Sequence, residues 1–216
     1  MAKRTRLKRA EIDEIFARFA KASPEPLGEL DFTTTFTLLV AVVLSAQTTD
    51  KAVNQATKEL FAMADSPEKM VALGEEKLMV YTKPLGFFRA KARNVIALSQ
   101  ALVERHGGEV PRSREALEAL PGVGRKSANV ILNTAFGEPV IAVDTHVFRV
   151  SNRTGLAPGS TPDEVEQILN RVVPEPYRRH AHHWLILHGR YVCKARLPDC
   201  PRCIINDLCR YPAKAV

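Results

Sequence analysis

The first 192 residues of this 216-residue chain contain no cysteine. A disulfide framework through the fold is therefore excluded, and the four cysteines that occur form a local group near the C-terminal end. Long apolar runs are missing too. The longest, Leu38 to Leu44, is far short of the ~20 residues that cross a bilayer. The segment EIDEIFARF that follows the basic start lacks the apolar run of a secretory signal. A soluble, intracellular protein with no membrane partner is expected. There are no internal repeats and no low-complexity tracts, which excludes solenoids and biased linkers. Disorder is excluded by an apolar fraction of 45% and a modest charge excess.

What is present is a basic excess of +7, from 31 Lys and Arg against 24 Asp and Glu. Its sum is weak evidence for an anionic partner, but its distribution is uneven. Lys3, Arg4, Arg6, Lys8 and Arg9 open the chain with no acid among them. Residues 176–216 hold eight basic groups and two acids, so the two ends carry +11 and the remainder −4. If the ends meet in space, they form one basic face.

The apolar periodicity is helical almost throughout. Ile12, Ile15, Phe16 and Phe19 share one helical face, as do Val95, Leu98 and Leu102, and Val165, Ile168, Leu169 and Val172. Ser66-Pro67 reads as an N-cap with proline at the first helical position. Thr161 with Glu164 reads as a capping box. LLVAVVL has strand-like valines, yet no alternating partner strands appear elsewhere, so it is read as a helix buried on all sides. The class is all-α, with about ten helices. Breaks at Ser23 to Gly28 and at Gly137-Glu138-Pro139 suggest one domain over 28–137. A second, over 1–27 and 138–216, would be formed by both termini.

Leu120-Pro121-Gly122-Val123-Gly124-Arg125-Lys126 lies between two helical patterns, the first capped by Ser113. Proline stops that helix, and two glycines permit a tight turn with φ > 0. Amides exposed by such a turn at a helix start suit a phosphate oxygen. A nucleotide P-loop needs glycine directly before Lys-Ser and a preceding strand, and neither is found. The segment looks like a helix-hairpin-helix DNA-binding motif.

The cysteines Cys193, Cys200, Cys203 and Cys209 have the pattern C-x6-C-x2-C-x5-C. An intracellular chain of this size rarely needs two disulfides, so metal ligation is favoured. Four thiolates hold one zinc or one 4Fe-4S cluster, and the single C-x2-C pair leans towards iron–sulfur. Lys194, Arg196 and Arg202 lie between the ligands, so the metal loop is also a basic loop.

Lys126 begins the helix after the hairpin, where the helix dipole and a bound substrate disfavour an ammonium. A lysine so placed serves as a Schiff-base nucleophile or as a phosphate contact. Asp144, after Ile141-Ala142-Val143, reads as an N-cap, and a cap aspartate can still face substrate. His180, His182, His183 and His188 lack a zinc-site spacing and are read as packing or phosphate-contact residues.

Taken together, LSAQTTD at 44–50, LPGVGRKSANVILNTAFG at 120–137, IAVDTHVFRVSNRTG at 141–155, HHWLILHGRYVC at 182–193 and the four-cysteine pattern resemble the endonuclease III family. These are bacterial DNA glycosylases with lyase activity, in the helix-hairpin-helix superfamily. The resemblance spans residues 28 to 210. It implies two all-α lobes, a six-helix barrel with the hairpin and a 4Fe-4S domain, with duplex DNA in a groove between them. It implies a monomer acting in the bacterial cytoplasm, at the nucleoid. It further implies flipping and excision of oxidised pyrimidines such as thymine glycol, then strand cleavage at the abasic site. Lys126 would be the nucleophile and Asp144 the catalytic carboxylate. Gly122, Val123, Gly124 and Arg125 would meet the DNA backbone, with Lys194, Arg196 and Arg202 beside them. Gln47 would fill the space left by the flipped base. Phe87 stands where the best-known members carry a leucine wedge, and an aromatic also intercalates. A monofunctional adenine glycosylase would lack Lys126. A non-enzymatic iron–sulfur sensor would give the pair of Lys126 and Asp144 no role.

Overall fold

The computed structural model describes residues 7–214. Lys3, Arg4 and Arg6 lie outside the described residues, whereas Lys8 and Arg9 form the entry to the first helix. Among the described residues there are eleven α-helices, one 3-10 turn and no strand. The helices are α1 (Arg9–Ala22), α2 (Thr35–Leu44), α3 (Asp50–Met63), α4 (Pro67–Leu73), α5 (Glu75–Thr82), α6 (Phe88–His106), α7 (Arg114–Glu118), α8 (Arg125–Phe136), α9 (Thr145–Thr154), α10 (Pro162–Val172) and α11 (Arg178–Tyr191).

Caps written in the sequence set several starts. Ser66 Oγ accepts from the Lys69 amide, and Ser113 Oγ from the Ala116 amide. Thr161 Oγ1 accepts from the Glu164 amide at 3.2 Å, but the reciprocal half of the expected box differs. The Glu164 carboxylate reaches one residue further back, to the Ser160 amide at 2.7 Å.

The chain divides into two compact units. One holds residues 29–136, and the other holds the described residues up to Gly28 and from Gly137 onward. In the 29–136 unit, α2 is buried from Phe36 to Leu44, so its uniformly apolar sequence forms the centre of the unit. It packs on α3, α6 and α8. Leu60, Met70, Leu78, Leu98, Leu102 and Ile131 complete this core.

In the other unit α1 meets the C-terminal region. Phe16 stacks on Tyr177 at 5.9 Å, and Trp184 Nε1 donates to the Ser23 carbonyl at 2.7 Å. Arg18 bonds the Ile204 carbonyl and the Asp207 carboxylate, and Arg210 pairs with Glu11. Helices α9 and α11 touch closely because Gly189 has no side chain. A Cβ there would sit 2.8 Å from His146 Cβ.

Candidate active site and cysteine cavity

In the 29–136 unit, the hairpin joins α7 to α8. Gly122 has φ 79°, and a Cβ on it would lie 2.9 Å from Asn94 Nδ2, so only glycine fits. Gly124 corrects the expectation of two positive-φ glycines. Its φ is not positive, and a Cβ would meet nothing within 4 Å. It leaves open space on an exposed turn instead of solving a backbone problem. Val123 lies in the same turn. It is buried and its N–H donates to the Leu120 carbonyl at 3.1 Å, so it anchors the turn. The N–H groups of Gly122 and Gly124 take no partner among the described residues. Arg125 is exposed, and Lys126, the second residue of α8, is half-buried behind the turn.

The same unit carries two exposed residues in the left-handed region, Gln47 with φ 54° and Phe87 with φ 58°. They are the two non-glycine residues with positive φ among those described. Each costs about 1–2 kcal/mol of backbone energy, and such strain gathers at functional sites. Phe87 is 68% exposed and stands as the N-cap residue of α6.

In the other unit, Asp144 is half-buried and caps α9. Its Oδ1 accepts from the His146 amide at 2.9 Å and the Val147 amide at 2.8 Å. The second oxygen, Oδ2, is not used by the cap. The segment leading to it is held from below, since His182 Nδ1–H donates to the Ala142 carbonyl at 2.8 Å. His182 and His188 are both buried, as packing residues are.

All four cysteines of that unit line one cavity, with Arg153 and His188 beside them. Burial pushes the Cys203 thiol up to about 11, and the three other cysteines push the same way. Burial also raises Cys209. No cysteine is paired in a disulfide. Among the described residues no group of three or more His, Cys, Asp or Glu side chains has the spacing of a single-ion site. The donor set and the shared cavity nevertheless fit a four-thiolate group.

Two arginines on α9, missed by sequence reasoning, hold the loop that starts at Cys193. Arg149 Nε donates to the Cys193 carbonyl at 3.0 Å. Arg153 donates to the Lys194 and Ala195 carbonyls at 2.7 and 2.8 Å. Their i,i+4 spacing on α9 was the available signal. On that loop Lys194 and Arg196 are exposed. Arg202 is exposed as well, but its Nε is committed to Asp199 Oδ2 at 2.6 Å.

An all-α fold with an amide-presenting Pro-Gly-Val-Gly hairpin defines a class, and residues 40–175 match it as an HhH-GPD superfamily base excision DNA repair protein. The chain is 55% identical to endonuclease III of Escherichia coli (strain K12) over 201 residues, 93% of this chain and 95% of that protein. It is 56% identical to endonuclease III of Rickettsia conorii over 200 residues, with the same coverage. A solved non-covalent endonuclease III–DNA complex matches with TM-score 0.88 and 45% identity, over 94% of this chain and 96% of that one. A trapped endonuclease III–DNA covalent intermediate matches with TM-score 0.88 and 44% identity, with the same coverage. The chain belongs to the endonuclease III family of DNA glycosylases and abasic-site lyases within that superfamily. No described helix is long and apolar enough to cross a membrane.

Proposed function

We propose that the protein excises oxidised pyrimidines of the thymine glycol type from duplex DNA, then cuts the strand 3′ to the abasic site. The observation that carries this reading is the half-buried Lys126 at the second position of α8, directly behind the open Gly122–Gly124 turn. A relative of 44% identity was solved as a trapped covalent intermediate with DNA, which supports a covalent route.

A base within a duplex is out of reach of any side chain, so the nucleotide must first be flipped out. Gln47 then fills the vacated space and Phe87 wedges the stack. Gly122 and Gly124 offer amides to a phosphate, and Arg125, Lys194 and Arg196 add charge. Arg202 lends its charge to the same loop less directly, through its pairing with Asp199.

Lys126 attacks as the neutral amine. Its Nζ lone pair forms a bond to C1′ while the glycosidic bond breaks, and the base leaves with the glycosidic bonding pair and gains a proton. The nitrogen loses a proton, and its lone pair forms the C1′=N bond of a Schiff base as the C1′–O4′ bond breaks, O4′ taking up a proton as the sugar ring opens. Loss of a C2′ proton then expels the 3′ phosphate as the leaving group. Asp144 is the carboxylate to stabilise positive charge on the sugar and to help activate the attacking group, and Oδ2 is the oxygen that its cap leaves unused.

Cys193, Cys200, Cys203 and Cys209 are the residues to hold a 4Fe-4S cluster. When bound, the cluster supplies a cross-link that shapes the Lys194–Arg196 loop, since excision involves no net electron transfer. The protein acts as a monomer on damaged duplex DNA, in the bacterial cytoplasm at the nucleoid.

The test is base release and strand incision over duplexes carrying thymine glycol, other ring-saturated pyrimidines, an oxidised purine or an abasic site. Release of the damaged pyrimidines with incision on the 3′ side is expected. Release of mispaired adenine alone, or base release with the strand left intact, contradicts the reading.

A further inference from the structure

A buried lysine on α6 has no part in the chemistry above. Lys91 is only 5% exposed. No carboxylate pairs with it among the described residues, and its Nζ donates to Thr48 Oγ1 at 2.5 Å. Burial lowers its pKa below the ordinary lysine value. An ammonium in such a place is unfavourable, and a core position would be filled better by an apolar side chain. What the charge gains in return is one hydroxyl, on the residue that follows Gln47.

The position of Lys91 along α6 gives that bond its meaning. Its backbone N–H donates to the Phe87 carbonyl at 3.0 Å, closing the first turn of α6. One residue is therefore hydrogen-bonded to both turns that carry an exposed left-handed residue. On the far side, the Thr48 amide donates to the Ser45 carbonyl at 3.0 Å. Ser45 Oγ donates in turn to the Val42 carbonyl at 2.8 Å, which fastens the Gln47 turn to the buried end of α2. The two turns are separated by some forty residues in sequence, and among the described residues the Lys91–Thr48 bond is the side-chain hydrogen bond that links them.

We propose that Lys91 is a positioning residue for lesion recognition: through Thr48 it holds the Gln47 turn in register with the Phe87 turn, so that both residues meet DNA as one preset pair. The inference rests on the glycosylase reading and deepens it. Presetting two strained turns before binding removes the ordering that would otherwise accompany base flipping. Without the bond, Gln47 relaxes from its left-handed conformation and must be re-ordered each time a nucleotide leaves the stack.

The full-length protein tests this with two near-isosteric variants. Lys91→Met removes the ammonium and keeps an apolar stem, while Thr48→Val keeps the shape and removes the acceptor together with its own 3.4 Å bond to the Ala46 carbonyl. Flipping is read from 2-aminopurine fluorescence beside a thymine glycol, with single-turnover excision, undamaged-duplex affinity and thermal melting measured in parallel. Each variant should lower the flipping amplitude and the excision rate about 10-fold, the effect of one charge-assisted hydrogen bond. Undamaged-duplex affinity should stay within about twofold, and the double variant should be no worse than either single one. A full flipping amplitude in either variant, or a double loss equal to the product of the single losses, overturns the proposal. So does a drop in melting temperature with flipping unchanged in the folded protein, which would mark Lys91 as merely structural. Thr48→Val, at a half-buried surface turn, keeps the test decisive if Lys91→Met fails to fold. A wild-type protein that neither flips nor excises defeats the glycosylase reading, and this proposal with it. An active wild type with indifferent variants defeats this proposal alone.

Discussion

Replacing Asp144 by asparagine and by alanine separates the two duties assigned to one carboxylate. Oδ1 caps α9 through the His146 and Val147 amides, at 2.9 and 2.8 Å. Asparagine keeps an oxygen acceptor in that place and is itself a preferred N-cap, so Asp144→Asn should change stability by less than about 0.5 kcal/mol. Alanine removes both bonds and should cost about 1–2 kcal/mol. For a chain of this length that is a fall in Tm of about 2–8 °C. Excision should respond differently. Both variants lose the negative charge, and the loss of a positioned carboxylate lowers the chemical step by about 100-fold or more. Single-turnover base release, fluorescence anisotropy on the same duplex and thermal melting give all three quantities. The expected pattern is a stable, DNA-binding, nearly inactive Asp144→Asn and a less stable, equally inactive Asp144→Ala. Wild-type turnover by the asparagine variant would leave the residue as a helix cap and refute its catalytic role.

The two hairpin glycines should behave in opposite ways. Gly122→Ala meets Asn94 and a φ of 79° and should destabilise the fold by more than about 1 kcal/mol in denaturant melts. Gly124→Ala meets nothing within 4 Å and should leave melting unchanged or slightly raised, while weakening duplex binding several-fold. For the cysteine cavity, protein purified without exposure to oxidants should be yellow-brown and hold about four irons per chain. Cys203→Ser should lose both colour and iron. Colourless protein with one zinc per chain would overturn the iron–sulfur assignment.

Much of the fold was legible because it depends on near neighbours. The apolar faces of α1, α6 and α10 follow from helical spacing, and Ser66, Ser113 and Asp144 announced their caps. The uniformly apolar α2 could be read as a central helix only because no partner strands were present. What depends on distant contacts was not legible. No local signal marks Gln47 or Phe87 as left-handed, since neither is a residue type that favours that region. Lys91 reads in sequence as one more surface lysine of an amphipathic helix, and only the approach of Thr48 shows otherwise. Gly124 looked like its neighbour Gly122, yet one answers a backbone constraint and the other leaves space. Arg149 and Arg153 read as the polar face of α9, and their partners are carbonyls some forty residues away.

The central claim is that Lys126 bonds covalently to the sugar, and borohydride trapping tests it most directly. Wild-type protein, a duplex with a single thymine glycol or abasic site and borohydride should give a protein–DNA adduct stable to denaturing electrophoresis. Lys126→Ala, folded to the same melting temperature, should give none. The absence of an adduct with the wild-type protein, or an undiminished adduct with Lys126→Ala, would contradict the account.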